Sequence, residues 1–157
     1  MTPDAFIAAI SPPAQALVPT TNIPASFTVA QAALESGWAK SQLAVQYFNL
    51  FGVKASAGWT GKTAVLPTTE YVDGKPITVN ATWRVYPSWQ ASLLDHAQFL
   101  LTNPRYRPAF AYTCGINFAQ AVQAAGYATD PNYAAKIIAI IKSHGLSSLD
   151  ISQTHKA

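Results

Sequence analysis

The chain has 157 residues, 50% of them hydrophobic and only 11% charged, with a net charge of +3. That length fits one domain burying roughly 68–70% of its unfolded surface, and the apolar half is enough for a real core. The mild positive charge suits a polyanionic partner and equally suits plain solubility, while the lack of any Lys/Arg block excludes a nucleic-acid arm.

The first element is a short helix that starts at Thr2-Pro3, a capping hydroxyl followed by proline at the first helical position, and is expected to stop at Ser11-Pro12-Pro13. No charge occurs from Ala5 to Leu34, but four prolines and many polar residues interrupt that run. It falls short of the roughly 20 apolar residues of a membrane span, and it lacks the basic start of a signal peptide. The reading is therefore a soluble protein made without an export signal and without membrane insertion. A second helix is expected from Ser26 or Thr28, with Phe27, Ala30, Leu34 and Trp38 as its apolar stripe and Gly37 near its end. Residues 55–62, with Gly58 and Gly61, read as loop.

Residues 63–71 are rich in β-formers, Asp73-Gly74 is a hairpin turn, and Ile77, Val79, Ala81, Trp83 and Val85 alternate with polar or outward positions. This pattern predicts a half-buried antiparallel ribbon. Ser88 then caps a helix carrying Trp89, Leu93, Ala97 and Leu100 inward and ending at Asn103-Pro104. Asn117 is expected to cap another that runs to Gly126. The last starts at Asp130-Pro131, buries Tyr133, Ile137, Ile140 and Ile141, and stops at Gly145. Residues 1–150 form a single domain in this reading, and 151–157 a frayed tail. The fold class is α+β, mostly helical with one small β-hairpin ribbon. Cys114 stands alone, so no intrachain disulfide forms, and no metal-ligand spacing or cofactor motif occurs.

Charge is scarce, so each carboxylate needs a reason. Asp4 and Asp130 sit at helix starts, Asp73 in the turn, Asp95 on a helix opposite much of its apolar stripe, and Asp150 near the tail. The chain has two glutamates. Glu35 lies in the last turn of an alanine-rich helix, where the helix dipole disfavours negative charge, and Trp38 is close enough in sequence to cover it. Both influences would raise its carboxyl pKa and suit a general acid. Spacing alone also allows a solvated surface Glu. Glu70 lies near the hairpin tip, where charged residues are common. Paired with Glu35 across a cleft it would make a two-carboxylate glycoside-cleaving site. The aromatic residues, Trp59, Trp83, Trp89, Tyr71, Tyr86, Tyr106, Tyr127 and Tyr133 among them, suit either core packing or a sugar cleft.

Five segments occur in order: Ala30-Gln31-Ala32-Ala33-Leu34-Glu35-Ser36-Gly37-Trp38, Asn49-Leu50-Phe51-Gly52-Val53-Lys54, Thr68-Thr69-Glu70-Tyr71, Arg84-Val85-Tyr86-Pro87-Ser88, and residues 125–134 with Tyr127 and Tyr133. Over roughly residues 26–145 the chain resembles glycoside hydrolase family 73, which includes peptidoglycan-hydrolysing domains of flagellar rod-assembly proteins and bacterial autolysins. The resemblance implies a lysozyme-like fold with the ribbon beside the cleft. It implies an endo-β-N-acetylglucosaminidase that cleaves the β-1,4 bond between N-acetylglucosamine and N-acetylmuramic acid in bacterial cell walls. Glu35 matches the catalytic acid, Glu70 the ribbon carboxylate, and Tyr127 a tyrosine near the acid. Trp38, Asn49, Phe51, Tyr71 and Tyr133 are the expected substrate-binding residues. The implied partner is the peptidoglycan glycan strand, met in the periplasm or outside the cell; the enzyme is expected to be a monomer, with phage endolysin, exported effector and autolysin all open as its type. Ala39 departs from the family, where glycine is frequent, and is expected to affect the helix exit alone. A muramidase, a lytic transglycosylase or a non-catalytic glycan-binding module are the alternatives.

Overall fold

A computed structural model describes residues 1–56 and 58–154, with side chains described through Asp150. The chain folds as α1 (Pro3–Thr21), α2 (Ala25–Ser36), α3 (Gln42–Tyr47), β1 (Thr63–Val72), β2 (Lys75–Arg84), α4 (Trp89–Thr102), a 3₁₀ segment (Pro104–Ala111), α5 (Gly115–Ala124), α6 (Tyr133–Ser143) and α7 (Ser147–Thr154).

Helix α2 is the axis of the molecule. Nine of its twelve residues are buried, including Phe27, Val29, Ala30, Gln31, Ala32 and Ala33. Its small alanines let α1, α5, α6 and α7 pack around it. Phe27 meets Phe118 of α5 at 4.7 Å between rings. A polar residue on such a helix leaves water altogether, so it persists only if something inside the protein pairs it.

Several expectations change. Helix α1 does not stop at Ser11-Pro12-Pro13 but continues through Pro12, Pro13 and Pro19 to Thr21. Phe6, Ile10, Ala14 and Thr21 keep one buried stripe along it, and this packing offsets the hydrogen bonds that proline removes. The carbonyls of Ala8 and Ala9, which lose their partners to Pro12 and Pro13, belong to exposed or half-exposed residues that water reaches. Helix α5 begins at Gly115, two residues before the expected cap at Asn117. The Gly115 N–H donates to the Asp150 carboxylate at 3.1 Å, and a side chain at Gly115 would collide with Ser26 Oγ. Asp150 also accepts from the N–H and hydroxyl of Ser26. This buried carboxylate therefore caps α2 and α5 together, and the helix that carries it continues to Thr154. Residues 155–157 of the expected tail lie outside the described residues. Helix α3, for which the sequence pattern assigned no element, is capped by Ser41 accepting from the Ala44 N–H.

The ribbon forms as predicted. Strands β1 and β2 pair antiparallel from Thr63↔Arg84 at the base to Val72↔Lys75 at the tip, with Asp73 and Gly74 both at positive φ. Burial differs along its length: Trp83 is buried at the base, while Ile77, Tyr71 and Val72 are exposed at the tip. Two strands have no second layer to cover them, so only the end docked on the helices is half-buried. That docking is explicit. Lys54 bridges to Trp83, Ala55 N–H donates to Thr82 O, and Arg84 N–H donates to Val53 O.

Candidate active site

Glu35 occupies the last turn of α2, and the break that follows sets where it points. Gly37, Trp38 and Ala39 all take left-handed φ near +60°. The Ser36 hydroxyl holds the turn by accepting from the Ala39 N–H at 2.9 Å and donating to Ala32 O at 2.6 Å. This explains why glycine suits the position of Ala39: a Cβ there costs about 1–2 kcal/mol.

Two tyrosines meet the Glu35 carboxylate. Tyr133, the first residue of α6, donates its hydroxyl to Oε2 at 2.8 Å, and Tyr127, in the loop before it, donates to the same oxygen at 3.1 Å. Burial pushes the Glu35 carboxyl up from 4.5 to about 7, opposed by the hydrogen bonds from Tyr133 and Tyr127. Burial and the neighbouring Glu35 charge hold both phenols well above their ordinary range, so both stay neutral donors. The group can thus hold a proton near neutral pH on its other oxygen, Oε1, and have its conjugate base received by two hydroxyls once the proton leaves.

Glu35 faces a cleft of about 770 Å³ whose walls include Phe51, Gly52, Val53, Arg84, Asp95, His96, Phe99, Tyr127, Thr129 and Tyr133. Apolar and aromatic walls with a few convergent polar groups are what a sugar ring needs. One wall is a rigid ionic knot: Arg84 meets Asp95 at 2.8 Å and Ser56 Oγ at 3.1 Å, and lies over the Trp59 ring at 4.6 Å. The Tyr86 hydroxyl donates to the same Asp95 oxygen. The knot fixes the ribbon base to α4. Behind the opposite face, the His96 ring stacks on Phe51 at 3.9 Å.

Of the residues expected at the site, Glu35, Phe51, Tyr127 and Tyr133 come together in the cleft. Glu70 does not line it in this conformation. It sits on β1 opposite Ile77, toward the ribbon tip, and pairs with Lys54 at 3.2 Å with both side chains about half exposed. Tyr71 is 73% exposed beside it. Trp38, with its left-handed backbone, packs edge-on against Phe6 and His144 and does not line the cleft. Asn49 is buried with its amide committed: Nδ2 donates to Val53 O and Arg84 O, and Oδ1 accepts from the Val53 N–H. It shapes the cleft wall and presents nothing to a ligand.

Sequence reasoning missed Asp95, His96, Arg84 and Gln31. Asp95 reads as an outer-face residue of α4, yet that outer face is the cleft wall. Gln31 carried a usable signal, since it stands one turn before Glu35 in a helix otherwise free of long polar side chains.

A largely desolvated acid at a helix end, a cleft in front of it and a two-strand ribbon beside it define a lysozyme-like glycoside hydrolase domain. The family model described as glucosaminidase, mannosyl-glycoprotein endo-beta-N-acetylglucosaminidase, matches residues 11–146. The chain belongs to this family, glycoside hydrolase family 73. It is 41% identical over 155 residues to the peptidoglycan hydrolase FlgJ of Escherichia coli K12, covering 96% of this chain and 50% of that protein. It is 38% identical to the exo-glucosaminidase LytG of Bacillus subtilis, covering 92% and 52%. The chain spans about half the length of these curated relatives. Among solved structures, the catalytic domain of the autolysin Auto from Listeria monocytogenes superposes with a TM-score of 0.85 at 35% identity, covering 94% of this chain and 86% of that one.

Proposed function

We propose that this domain is an endo-β-N-acetylglucosaminidase that hydrolyses the β-1,4 bond between N-acetylglucosamine and N-acetylmuramic acid in bacterial peptidoglycan, acting on the wall in the periplasm or outside the cell. The observation that carries the reading is the protonatable Glu35 held by Tyr127 and Tyr133 on a sugar-sized cleft. Glu35 Oε1–H protonates the leaving glycosidic oxygen, and the two phenols stabilise the carboxylate that forms. Phe51, stacked on His96, lends the cleft wall an apolar edge.

Water then attacks the anomeric carbon. The other carboxylate on the cleft wall, Asp95, is committed to Arg84 and Tyr86. Glu70 is held only by an exposed ion pair, worth about 0–1 kcal/mol, on a thinly supported ribbon. Bending of the ribbon over bound glycan brings Glu70 to orient or deprotonate the water, and Tyr71 against the strand. A single displacement needs the carboxyls roughly 6.5–9.5 Å apart.

The test is clearance of purified cell walls by the parent and Glu35→Gln chains, followed by borohydride reduction and acid hydrolysis of the products. N-acetylglucosaminitol or its deacetylated form is the expected reduced sugar. Reduced muramic acid would make the enzyme a muramidase, and fragments lighter by one water with no reducible end would make it a transglycosylase.

A further inference from the structure

Gln31 and His96 are buried polar side chains that the acid–base reading above does not use. Gln31 is 1% exposed, one helical turn before Glu35 on α2. His96 comes from α4 and is clamped flat between Phe51 and Phe99. The two meet at 3.0 Å through His96 Nε2 and Gln31 Oε1. From this pair a chain of hydrogen bonds reaches the acid by two routes. Gln31 Nε2 donates to the Tyr133 hydroxyl at 2.9 Å, and His96 Nε2 lies 3.3 Å from the Tyr127 hydroxyl. Both hydroxyls end on Glu35 Oε2.

The chemistry of these groups fixes a direction. An amide oxygen only accepts, so with Gln31 Nε2 spent on Tyr133, its Oε1 requires a proton on His96 Nε2. That N–H also points to the Tyr127 oxygen. Tyr133 oxygen receives from Gln31 and Tyr127 oxygen receives from His96, so each phenol has its own proton free for Glu35. With the amide reversed, Gln31 would accept from Tyr133, and that hydroxyl would be lost to the carboxylate.

We infer that His96 and Gln31 are positioning residues: as one donor chain they hold both phenolic protons on Glu35 Oε2 and so confine the acid's own proton to Oε1. This rests on Glu35 being the general acid. His96 acts as a neutral imidazole with its proton on Nε2. The titratable and charged groups facing the chain are Glu35, Tyr127 and Tyr133 across the cleft floor, and Asp95 beside His96 on α4 with its partner Arg84 from β2. None of these is altered in the His96 and Gln31 variants below.

Two nuclear magnetic resonance measurements test this without reference to activity. The chain holds only three histidines and two glutamates, so selective labelling gives few signals. In ¹⁵N-histidine protein, His96 is expected as the Nε2–H tautomer between pH 6 and 8; an Nδ1–H tautomer overturns the inference. In ¹³C-glutamate protein, His96→Phe keeps the ring stack on Phe51 and removes the donor. The Glu35 titration midpoint should then rise by about one pH unit, because the ionised form loses donors. The kcat should fall about tenfold with KM little changed, the worth of one neutral hydrogen bond. His96→Gln, whose amide N–H stands near the Nε2 position, should return kcat to within about threefold of the parent. An unchanged Glu35 midpoint in His96→Phe overturns the inference, as does His96→Gln as impaired as His96→Phe. Should His96→Phe not fold, Gln31→Met carries the same expectations. An active Glu35→Gln enzyme would remove the general-acid reading while leaving the tautomer and midpoint results standing, so the two failures are distinguishable.

Discussion

Glu35 ends a helix buried on nearly every side, whereas Glu70 rides near the tip of a ribbon that is one layer thick. The first carboxyl is largely desolvated, has gained two phenol donors and moved up to about 7. The second stays about half exposed and pairs with a single half-exposed lysine. The same side chain meets two different environments, and the proposed function gives it two different tasks because of what surrounds it. The division of labour proposed for the two carboxyls would rest on two kinds of support: a packed helical core that desolvates one, and a thin projection that carries the other. The Arg84–Asp95–Tyr86 knot marks the boundary between them, since it pins the ribbon base and leaves the tip free.

The contrast is broken most directly at Glu35. Glu35→Gln removes the transferable proton and keeps the size, so wall clearance should fall by at least about 100-fold with the circular dichroism spectrum unchanged. Near-parent clearance would mean that the buried carboxyl is not the acid.

The same substitution sharpens the comparison through stability. Glu35 has its folded-state value raised from 4.5 to about 7. Such an acid costs the fold nothing below pH 4.5, and stability is lost progressively as pH rises from 4.5 to about 7, with the full cost present above that. The cost is of order 3 kcal/mol at its upper limit. Glu35→Gln should therefore melt about 6–12 °C higher than the parent at pH 8, and at nearly the same temperature at pH 4.5. Equal melting temperatures at both pH values would show that Glu35 is not desolvated.

A smaller effect is expected on the ribbon. Glu70→Gln should reduce turnover about tenfold or more while its unfolding free energy stays within about 0.5 kcal/mol of the parent, because an exposed substitution removes no packing. Full turnover would leave the substrate's own acetamido oxygen as the internal nucleophile. The smallest effect is at Lys54. Lys54→Met breaks the ion pair with Glu70 and should change stability by less than about 1 kcal/mol in urea titration, an effect that fades further in high salt.

Much of this was legible beforehand in short-range pattern. Asp73-Gly74 between alternating runs announced the ribbon, Ser88 announced the start of α4, and Gly145 the end of α6, because turn and cap chemistry acts over a few residues. Proline was misleading in α1, where a continuous buried stripe outweighs three missing N–H groups. Trp38 was misleading for a related reason. Helical spacing put it beside Glu35, but three successive left-handed residues turn it to the far side against Phe6 and His144.

By itself the sequence determined which residues can do chemistry: a glutamate in an otherwise uncharged helix, a second on a hairpin, and the ordered segments that mark the family. Only the tertiary structure decided what those residues become. Tyr133 stands 98 positions from Glu35, and Tyr127 stands 92. Asp150 caps α2 across 124 positions, although the sequence offers it as a tail residue. Periodicity and capping rules reach about one helical turn, while desolvation and donor pairing depend on every group that folding brings within hydrogen-bonding distance. The Glu35 carboxylate is met by side chains that share no local pattern with it, so its behaviour is a property of the packed core and not of the segment that contains it.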